Sequence, residues 1–256
     1  MTNVSAKKSL GQNFLINAGV AARIVEAAEL SATDTILEIG PGTGLLTRLL
    51  VQHAGTVIAI EKDHRLIEEL RKEFLDSSVQ VREGDALEFD PTEFNLVSDS
   101  YKIVANLPYY ITGRFLKLAL EKWPRPQLLV LMVQKEVAQR ILAQPPHMNL
   151  LAAAIQYYTE PEIVMPVSAG SFRPIPAVDS AVIRLRPRPE LGINFLDIAR
   201  LGFSSRRKQL LNNLLGRYSR EAVLAAFEKT GLLSAIRAEN LSVAQWQQLA
   251  QNLSTP

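Results

Sequence analysis

A glycine-rich loop that directly follows a short apolar strand constrains the fold of this chain more than any other feature. The residues Thr35–Ile39 read as a strand, Gly40-Pro41-Gly42-Thr43-Gly44 follows, and helical spacing then begins at Leu45–His53. Glycine adopts positive φ angles without strain and lets the backbone approach a ligand closely. A strand, a glycine turn and a helix in this order predict an α/β unit with a ligand at the carboxyl end of the strand.

The first two thirds of the chain repeat this alternation. Further strands are predicted at Thr56–Ile60, Val79–Arg82, Tyr101–Ala105 and Leu128–Val133, with late candidates near Glu162–Val167 and Ala181–Leu185. Helical patterns lie between them, at Ala18–Ala28, Asp63–Leu75, Gly113–Lys122, Lys135–Ala143 and Leu150–Gln156. Strands that alternate with helices of about 10–15 residues are typical of a parallel sheet with helices on both faces.

The pattern changes at the proline-rich stretch Arg186–Pro189, where proline disfavours a helix. Beyond it the chain is predicted to be helical, at Phe195–Leu215, Arg220–Lys229 and Val243–Leu253. We therefore expect an α/β domain at residues 1–187 and a small all-α domain at residues 188–256.

Composition excludes several classes of protein. The 256 residues contain no cysteine, so neither disulfides nor thiolate metal sites are possible, and no metal site is expected. No apolar run approaches the ~18 residues that a membrane helix needs. The N-terminal stretch has no apolar core of the kind found in signal peptides. We therefore expect a cytoplasmic protein without a membrane span.

Positive charge is concentrated in one part of the chain. The formal net charge is only +2, whereas Arg184–Arg220 contains nine basic and two acidic residues. Such asymmetry indicates a surface for a polyanion, and it fits a solvated basic helix face equally well.

The spacing of the glycines narrows the class of ligand. A dinucleotide site has glycines at the first, third and sixth positions of the loop. Counted from Gly40, this loop has them at the first, third and fifth, which resembles motif I of Rossmann-like methyltransferases. Glu61 follows the second strand and can accept from both hydroxyls of a ribose, and Asp85 follows the third and can accept from an adenine amine. Alternatively, each is a solvated loop carboxylate.

The tetrapeptide Asn106-Leu107-Pro108-Tyr109 follows the fourth strand. It resembles the (Asp/Asn/Ser)-Pro-Pro-(Tyr/Phe) signature of methyltransferases that act on nucleobase amines. The Asn106 side-chain oxygen and the Leu107 carbonyl can both accept from an amine, Pro108 restricts the loop, and Tyr109 offers a ring on which an extruded base can stack. Alternatively, the four residues are a helix-initiating turn with a buried tyrosine.

Together these motifs resemble the ribosomal RNA small-subunit adenine dimethyltransferases of the KsgA/RsmA type, over nearly the whole chain. Three further stretches carry the resemblance: Lys7–Leu15 at the N-terminus, Gln134–Ala138 after the fifth strand, and Ser171–Ser180. The stretches Phe203–Gln209 and Leu211–Leu214 resemble the start of the family's helical domain.

The resemblance implies a Rossmann-like class I methyltransferase sheet and an S-adenosylmethionine site formed by Asn13, Leu15, Gly40, Gly42, Gly44, Glu61, Lys62, Asp85, Ala86 and Asn106. It also implies that Phe172 stacks on the target adenine opposite Tyr109. Contacts to RNA phosphates are expected from Lys7, Lys8, Arg200, Arg206, Arg207, Lys208 and Arg217.

The reaction implied is dimethylation of two adjacent adenines in a hairpin near the 3′ end of small-subunit rRNA, within a pre-30S-type particle and by a monomer. The sequence departs from the family at Tyr110, where asparagine is frequent, and at His147–Ala152. Three alternatives remain: a large-subunit adenine methyltransferase that confers antibiotic resistance, a DNA amino-methyltransferase, and a ribosome-assembly factor whose main role is binding. The N-terminal signature and the helical tail favour the small-subunit enzyme.

Overall fold

A seven-stranded sheet forms the centre of the N-terminal part of the molecule. The computed structural model describes residues 6, 7, 10–205 and 207–254. A separate two-stranded sheet pairs β1 with β8. The strands are β1 (Phe14–Leu15), β2 (Thr35–Ile39), β3 (Thr56–Glu61), β4 (Val79–Glu83), β5 (Tyr101–Asn106), β6 (Leu128–Gln134), β7 (Thr159–Val167), β8 (Phe172–Arg173) and β9 (Ser180–Pro187).

The order of the large sheet is β4-β3-β2-β5-β6-β9-β7. β2 is parallel to both β3 and β5, whereas β9 is antiparallel to β6. Ile39 pairs with Ile60 on one side and with Ala105 on the other, so the carboxyl ends of these three strands lie level. The chain winds outward in opposite directions from β2 and β5, and ligands of open α/β sheets bind at such a switch point. The predicted Rossmann-like sheet is confirmed.

Helices connect the strands as the sequence predicts. They are α1 (Ala18–Ala27), α2 (Leu45–His53), α3 (His64–Glu73), α4 (Thr112–Glu121), α5 (Lys135–Ile141), α6 (Leu150–Tyr158), α7 (Leu196–Gly202), α8 (Leu210–Leu214), α9 (Arg220–Thr230) and α10 (Val243–Ser254). The first six residues of β6 are all buried, which shows that both faces of the sheet are covered. Residues of α1 and α2 pack with Ile36, Val57 and Val104 in one apolar cluster.

The single helix predicted for Phe195–Leu215 is wrong, because the chain forms α7 and α8 there with a turn between them. The Asn213 side chain explains the break. Its Nδ2 donates to the carbonyl of Gly202 at 2.5 Å and to that of Ser205 at 3.1 Å. In a continuous helix, these two carbonyls would instead accept from backbone amides four residues further on.

The described chain divides into two compact units. The first contains the residues up to Ala138 together with Pro161–Pro187, and the second contains Gln139–Glu160 together with the residues from Arg188 onward. The second unit therefore includes an internal segment that the sequence assigned to the α/β domain. The reason is apolar packing: Ala152, Ala153 and Tyr157 of α6 belong to the same buried cluster as Phe195 and Trp246. The Tyr157 ring meets that of Phe195 edge-on at 5.3 Å.

Candidate active site

Two adjoining clefts open at the carboxyl ends of β2, β3 and β5. They share Gln12, Gly40, Glu61 and Pro108. The first is also lined by Gly11, Asn13–Leu15, the loop Pro41–Thr43, Leu45, Leu46 and Asn106–Tyr109. The second is also lined by Leu10, Ile39, Ile60, Lys62, Gly84–Ala86, Tyr110 and Ile111.

The glycine loop needs its glycines at the predicted positions. Gly40, Gly42 and Gly44 have φ angles of 71°, 58° and 78°, a region that side-chain-bearing residues rarely adopt. Space is also limiting at Gly42, where a Cβ atom would lie 3.0 Å from a ring carbon of Phe14. Gly44 begins α2 as its N-cap residue. Gly40 and Gly42 line the first cleft, whereas Gly44, which the resemblance placed at the cofactor, lines neither cleft.

Glu61 lies at the boundary of the two clefts and is almost fully buried. Its Oε2 accepts from the Gly42 amide at 3.0 Å and its Oε1 from the Asp63 amide at 2.8 Å. Burial raises the pKa of Glu61, and these backbone donors oppose the effect. A carboxylate has about four acceptor positions. Glu61 can therefore hold the glycine loop and still accept from two ligand hydroxyls.

Asp85 is placed in the second cleft by two interactions. Its Oδ1 accepts from the Leu87 amide at 2.9 Å, and its Oδ2 accepts from Lys62 Nζ at 2.7 Å. Partial burial raises the pKa of Asp85, but the Lys62 ammonium and the Leu87 amide outweigh it, so that the pKa is lowered overall. The carboxylate is consequently charged and able to accept from a ligand amine.

The N-terminal segment is attached to the beginning of α3. Gln12 Nε2 donates to Asp63 Oδ2 at 2.9 Å, while Gln12 Oε1 accepts from the Lys7 amide at 2.7 Å. Lys7 Nζ lies 3.7 Å from Asp63 Oδ1. The Arg65 guanidinium holds the pKa of the buried Asp63 carboxyl well below its usual range, against the effect of burial. Sequence reasoning missed Gln12 and Asp63, although Gln12 belongs to the N-terminal signature.

Asn106 is oriented by the same N-terminal segment. Its Nδ2 donates to the Asn13 carbonyl at 3.2 Å, and Asn13 Nδ2 donates to the Gly11 carbonyl at 3.3 Å. Since a carbonyl only accepts, the amide group of Asn106 must turn its nitrogen toward Asn13. Its Oδ1 is then the acceptor that remains for a ligand. The Leu107 side chain is buried, and Pro108 has a φ of −56°.

The Tyr109 ring lines the first cleft and is half-buried. Its hydroxyl lies 2.6 Å from Ser180 Oγ. Burial raises the pKa of Tyr109, so the phenol keeps its proton at neutral pH. Sequence reasoning named the stretch that contains Ser180 without assigning it a role.

Phe172 is buried in the apolar interior. It is fully buried, pairs with Leu15 across β1 and β8, and packs in an apolar cluster with Met132 and Val182. It lines neither cleft, and its stacking on the target adenine opposite Tyr109 remains a prediction. Leu15 and Asn13 do line the first cleft, and Lys62 and Ala86 line the second.

Some of the basic residues in the range Arg184–Arg220 are neutralised by acidic residues that are distant in sequence. Arg184 pairs with Glu29 and Glu162, and Arg186 also pairs with Glu29. Arg188 pairs with Glu160 in the second unit. The net charge counted along the sequence therefore overstates the positive charge available to a polyanion.

The residues expected to contact RNA have varied surroundings. Lys8 and Arg206 lie outside the described residues. Arg200 pairs with Asp197 at 2.5 Å, and the Arg217 guanidinium lies 5.8 Å from the centre of the Tyr218 ring. Arg207 and Lys208 are exposed.

Among the described residues, no group of three or more acidic or histidine side chains is suited to hold a metal ion, and no helix is long and apolar enough to cross a membrane.

Comparison with known proteins identifies the family. The family model for ribosomal RNA adenine dimethylase matches residues 3–255. A ribosomal RNA small subunit methyltransferase A from Dehalococcoides mccartyi is 43% identical over 255 residues, which cover 95% of this chain and 87% of the relative. The protein of the same name from Geobacillus thermodenitrificans is 41% identical, with coverages of 97% and 91%.

Solved structures show the same fold over almost the whole chain. A dimethyladenosine transferase from Plasmodium falciparum superposes with a TM-score of 0.80 at 27% identity, covering 92% of this chain and 95% of that one. The 23S rRNA methyltransferase ErmE superposes with a TM-score of 0.79 at 30% identity, covering 95% and 100%. The family model, the relatives and the fold agree with one another, and the chain belongs to the ribosomal RNA adenine dimethylase family of methyltransferases.

Proposed function

We propose that this protein transfers methyl groups from S-adenosylmethionine to the exocyclic amines of two adjacent adenines near the 3′ end of small-subunit rRNA, making each of them dimethylated. The observation that carries the proposal is the fixed orientation of Asn106 beside the cleft of the glycine loop. Membership of the adenine dimethylase family supports the reaction, and the names of the relatives support the small subunit.

The two clefts fit the parts of S-adenosylmethionine. We assign the ribose to Glu61, at the boundary of the clefts, and the adenine to the second cleft with Asp85, Lys62 and Ala86. The methionine portion is assigned to the first cleft, beside the glycine loop, Asn13 and Leu15. Gly40 and Gly42 line the first cleft, so a ligand there lies against the loop, and the loop need not hold a pyrophosphate. When bound, the cofactor supplies an electrophilic methyl group on a sulfonium.

Asn106 and Leu107 act on the target amine. An adenine amine is a poor nucleophile because its lone pair is delocalised into the ring. The Asn106 Oδ1 and the Leu107 carbonyl each accept one amine hydrogen, which favours a pyramidal nitrogen with its lone pair directed at the methyl group. The amine loses its proton only after the new bond has formed, so positioning and electrostatics supply most of the catalysis.

The substrate must leave its stacked position to reach these groups, and Tyr109 offers a face for the extruded base. We assign RNA phosphate contacts to the exposed residues Arg207 and Lys208 together with Arg200, Arg206 and Arg217, with smaller contributions from Lys7 and Lys8. We further propose that the protein acts as a monomer on a pre-30S-type particle in the cytoplasm.

The experiment that tests the proposal is mass spectrometry of rRNA after unmethylated small-subunit particles are incubated with the protein and isotope-labelled S-adenosylmethionine. We expect dimethylated adenine at two adjacent positions near the 3′ end, and none with Asn106→Ala. The drop for Asn106→Ala should exceed a hundredfold, because the variant loses a group that contacts the reacting amine.

A parallel incubation with large-subunit particles separates the second candidate function. The fold shared with the 23S rRNA methyltransferase over 95% of this chain gives that candidate its support. Label in the large-subunit rRNA alone would overturn the assignment to the small subunit and leave the adenine chemistry intact. Full turnover by Asn106→Ala would overturn the role of this residue.

A further inference from the structure

The Tyr109 side chain is held from both of its ends. At the backbone end, Pro108 precedes it, and Tyr109–Ile111 forms a tight helical turn in which the Ile111 amide donates to the Pro108 carbonyl at 3.1 Å. At the far end, the hydroxyl lies 2.6 Å from Ser180 Oγ, and either hydroxyl can donate. A ring fixed at both ends has little freedom to turn away from the cleft that it lines.

Ser180 is itself a rigid anchor. It is fully buried, it begins β9, and it pairs with Gln134 of the interior strand β6. The preceding residue, Asp179, is tied at two points: its carbonyl accepts from the Lys135 amide at 3.0 Å and its Oδ1 from the Ala169 amide at 3.0 Å. The Ser180 backbone can therefore move only together with the sheet, and the Tyr109 hydroxyl lies at hydrogen-bonding distance from a side chain on this fixed strand.

Ser180 lines neither cleft. The residues that follow it, Ala181–Ile183, are apolar and buried, so a polar side chain at this position has to find a partner inside the protein. The Tyr109 hydroxyl is such a partner, and through it Ser180 is connected to the first cleft.

We propose that Ser180 is a positioning residue that fixes the Tyr109 ring against the target adenine, and that the second methyl transfer to each adenine depends on it more than the first. The inference rests on the proposed function. In the first transfer the amine has two hydrogens, one for the Asn106 Oδ1 and one for the Leu107 carbonyl. After that transfer one hydrogen remains, so the base loses a hydrogen bond and its stacking on Tyr109 makes up a larger share of what holds it.

The test is a time course of monomethyl- and dimethyladenine by mass spectrometry on unmethylated small-subunit particles. The proteins compared are wild type, Ser180→Ala, Tyr109→Phe and the double variant. In Ser180→Ala we expect the second transfer to slow more than the first, by a factor of up to about ten, which is the limit set by the loss of one ordinary hydrogen bond, so that monomethyladenine accumulates. Tyr109→Phe removes the same bond from the other side and should show the same product ratio. The double variant should give the same ratio of monomethyl- to dimethyladenine as either single variant.

The control is Thr159→Val, which removes another fully buried hydroxyl, one that donates to the Ile155 carbonyl at 2.8 Å. It should lower thermal stability without changing the ratio of the two products. An unchanged ratio in both Ser180→Ala and Tyr109→Phe, or equal slowing of both transfers, would overturn the inference. If Ser180→Ala does not fold, Tyr109→Phe alone decides. Absence of methylated adenine with the wild-type protein would instead refute the proposed function.

Discussion

Glu38 and Glu61 lie at the carboxyl ends of neighbouring strands, β2 and β3, and both are buried, but their surroundings differ. Glu61 accepts from two backbone amides and lines both clefts. Among the described residues, neither carboxyl oxygen of Glu38 has a hydrogen-bond partner, and the buried Thr47 hydroxyl faces it without a well-formed bond. Burial raises the pKa of Glu38 to about 8, and the Glu61 charge adds to this effect.

The difference shows how one residue type serves two purposes in adjacent positions. An ionised carboxylate is stable in a protein only where donors replace the lost water. Glu61 has such donors and can present a negative charge to a ligand. Among the described residues Glu38 has no donor in a well-formed bond and keeps its proton at neutral pH, so it behaves as a neutral polar side chain.

The largest effect that this comparison predicts is the loss of cofactor binding in Glu61→Gln. The amide that replaces the carboxylate has one acceptor and one donor, so one of the two backbone amides of Gly42 and Asp63 faces an NH₂ group. The charge-assisted bonds to the ligand hydroxyls are lost as well. We expect the Kd for S-adenosylmethionine to rise on the order of a hundredfold, as the loss of one or two bonds to a charged acceptor implies.

Isothermal titration calorimetry measures this change, and Glu38→Gln is the matched control because it makes the same substitution one strand away. The control should bind S-adenosylmethionine with nearly wild-type affinity. Equal losses in the two variants would show that the two carboxyl groups are not functionally distinct.

The second prediction concerns stability and pH. Glu38 has a pKa of about 8 in the folded protein and 4.5 as its ordinary value. Between these pH values the folded state keeps a proton that the unfolded state has lost, so the free energy of unfolding falls as pH rises through this window. At pH 7 the cost is on the order of 3 kcal/mol at most, since one pKa unit corresponds to about 1.4 kcal/mol.

Glu38→Gln resembles the protonated form and removes this cost. We expect its stability to approach that of the wild-type protein near pH 5 and to exceed it by a growing margin up to pH 8. Urea unfolding at pH 5, 6, 7 and 8 checks this. If the free energy of unfolding depends on pH in the same way for both proteins, Glu38 is ionised in the folded state.

Local patterns in the sequence were enough to predict many of the residues that line the two clefts. The glycine spacing, and the acidic residues and tetrapeptide after successive strands, predicted which side chains share an edge, because parallel strands bring their carboxyl ends together. Glu61, Asp85, Asn106 and Tyr109 all line the clefts as expected. The roles assigned to these residues remain predictions.

The interactions that sequence reasoning missed join residues far apart in the chain. Gln12 reaches Asp63 across 51 positions, and Asp63 also pairs with the side chain of Lys7, a residue predicted to contact RNA. The burial of Phe172 depends on its pairing with Leu15. No local pattern reports such pairings. The environment of Glu38 likewise depends on which residue of α2 faces it, and a hydrophobicity pattern cannot show that this residue is Thr47.

The smallest predicted effect concerns the ion pair of Lys62 and Asp85, which carries charge toward the ligand as Glu61 does but lies nearer to solvent. The Lys62 side chain is 54% exposed, and exposed pairs contribute little free energy. In Lys62→Met, Asp85 loses its ammonium partner, its pKa rises toward its ordinary range, and its Oδ2 becomes available to the ligand amine. Loss of the ammonium weakens binding and release of Asp85 Oδ2 strengthens it, so the Kd for S-adenosylmethionine at pH 7 should change less than about fivefold. Raising the salt concentration should reduce the difference in Kd between Lys62→Met and the wild-type protein. Calorimetry at two salt concentrations measures it, and a loss as large as that in Glu61→Gln would show that Lys62 contacts the cofactor directly rather than through Asp85.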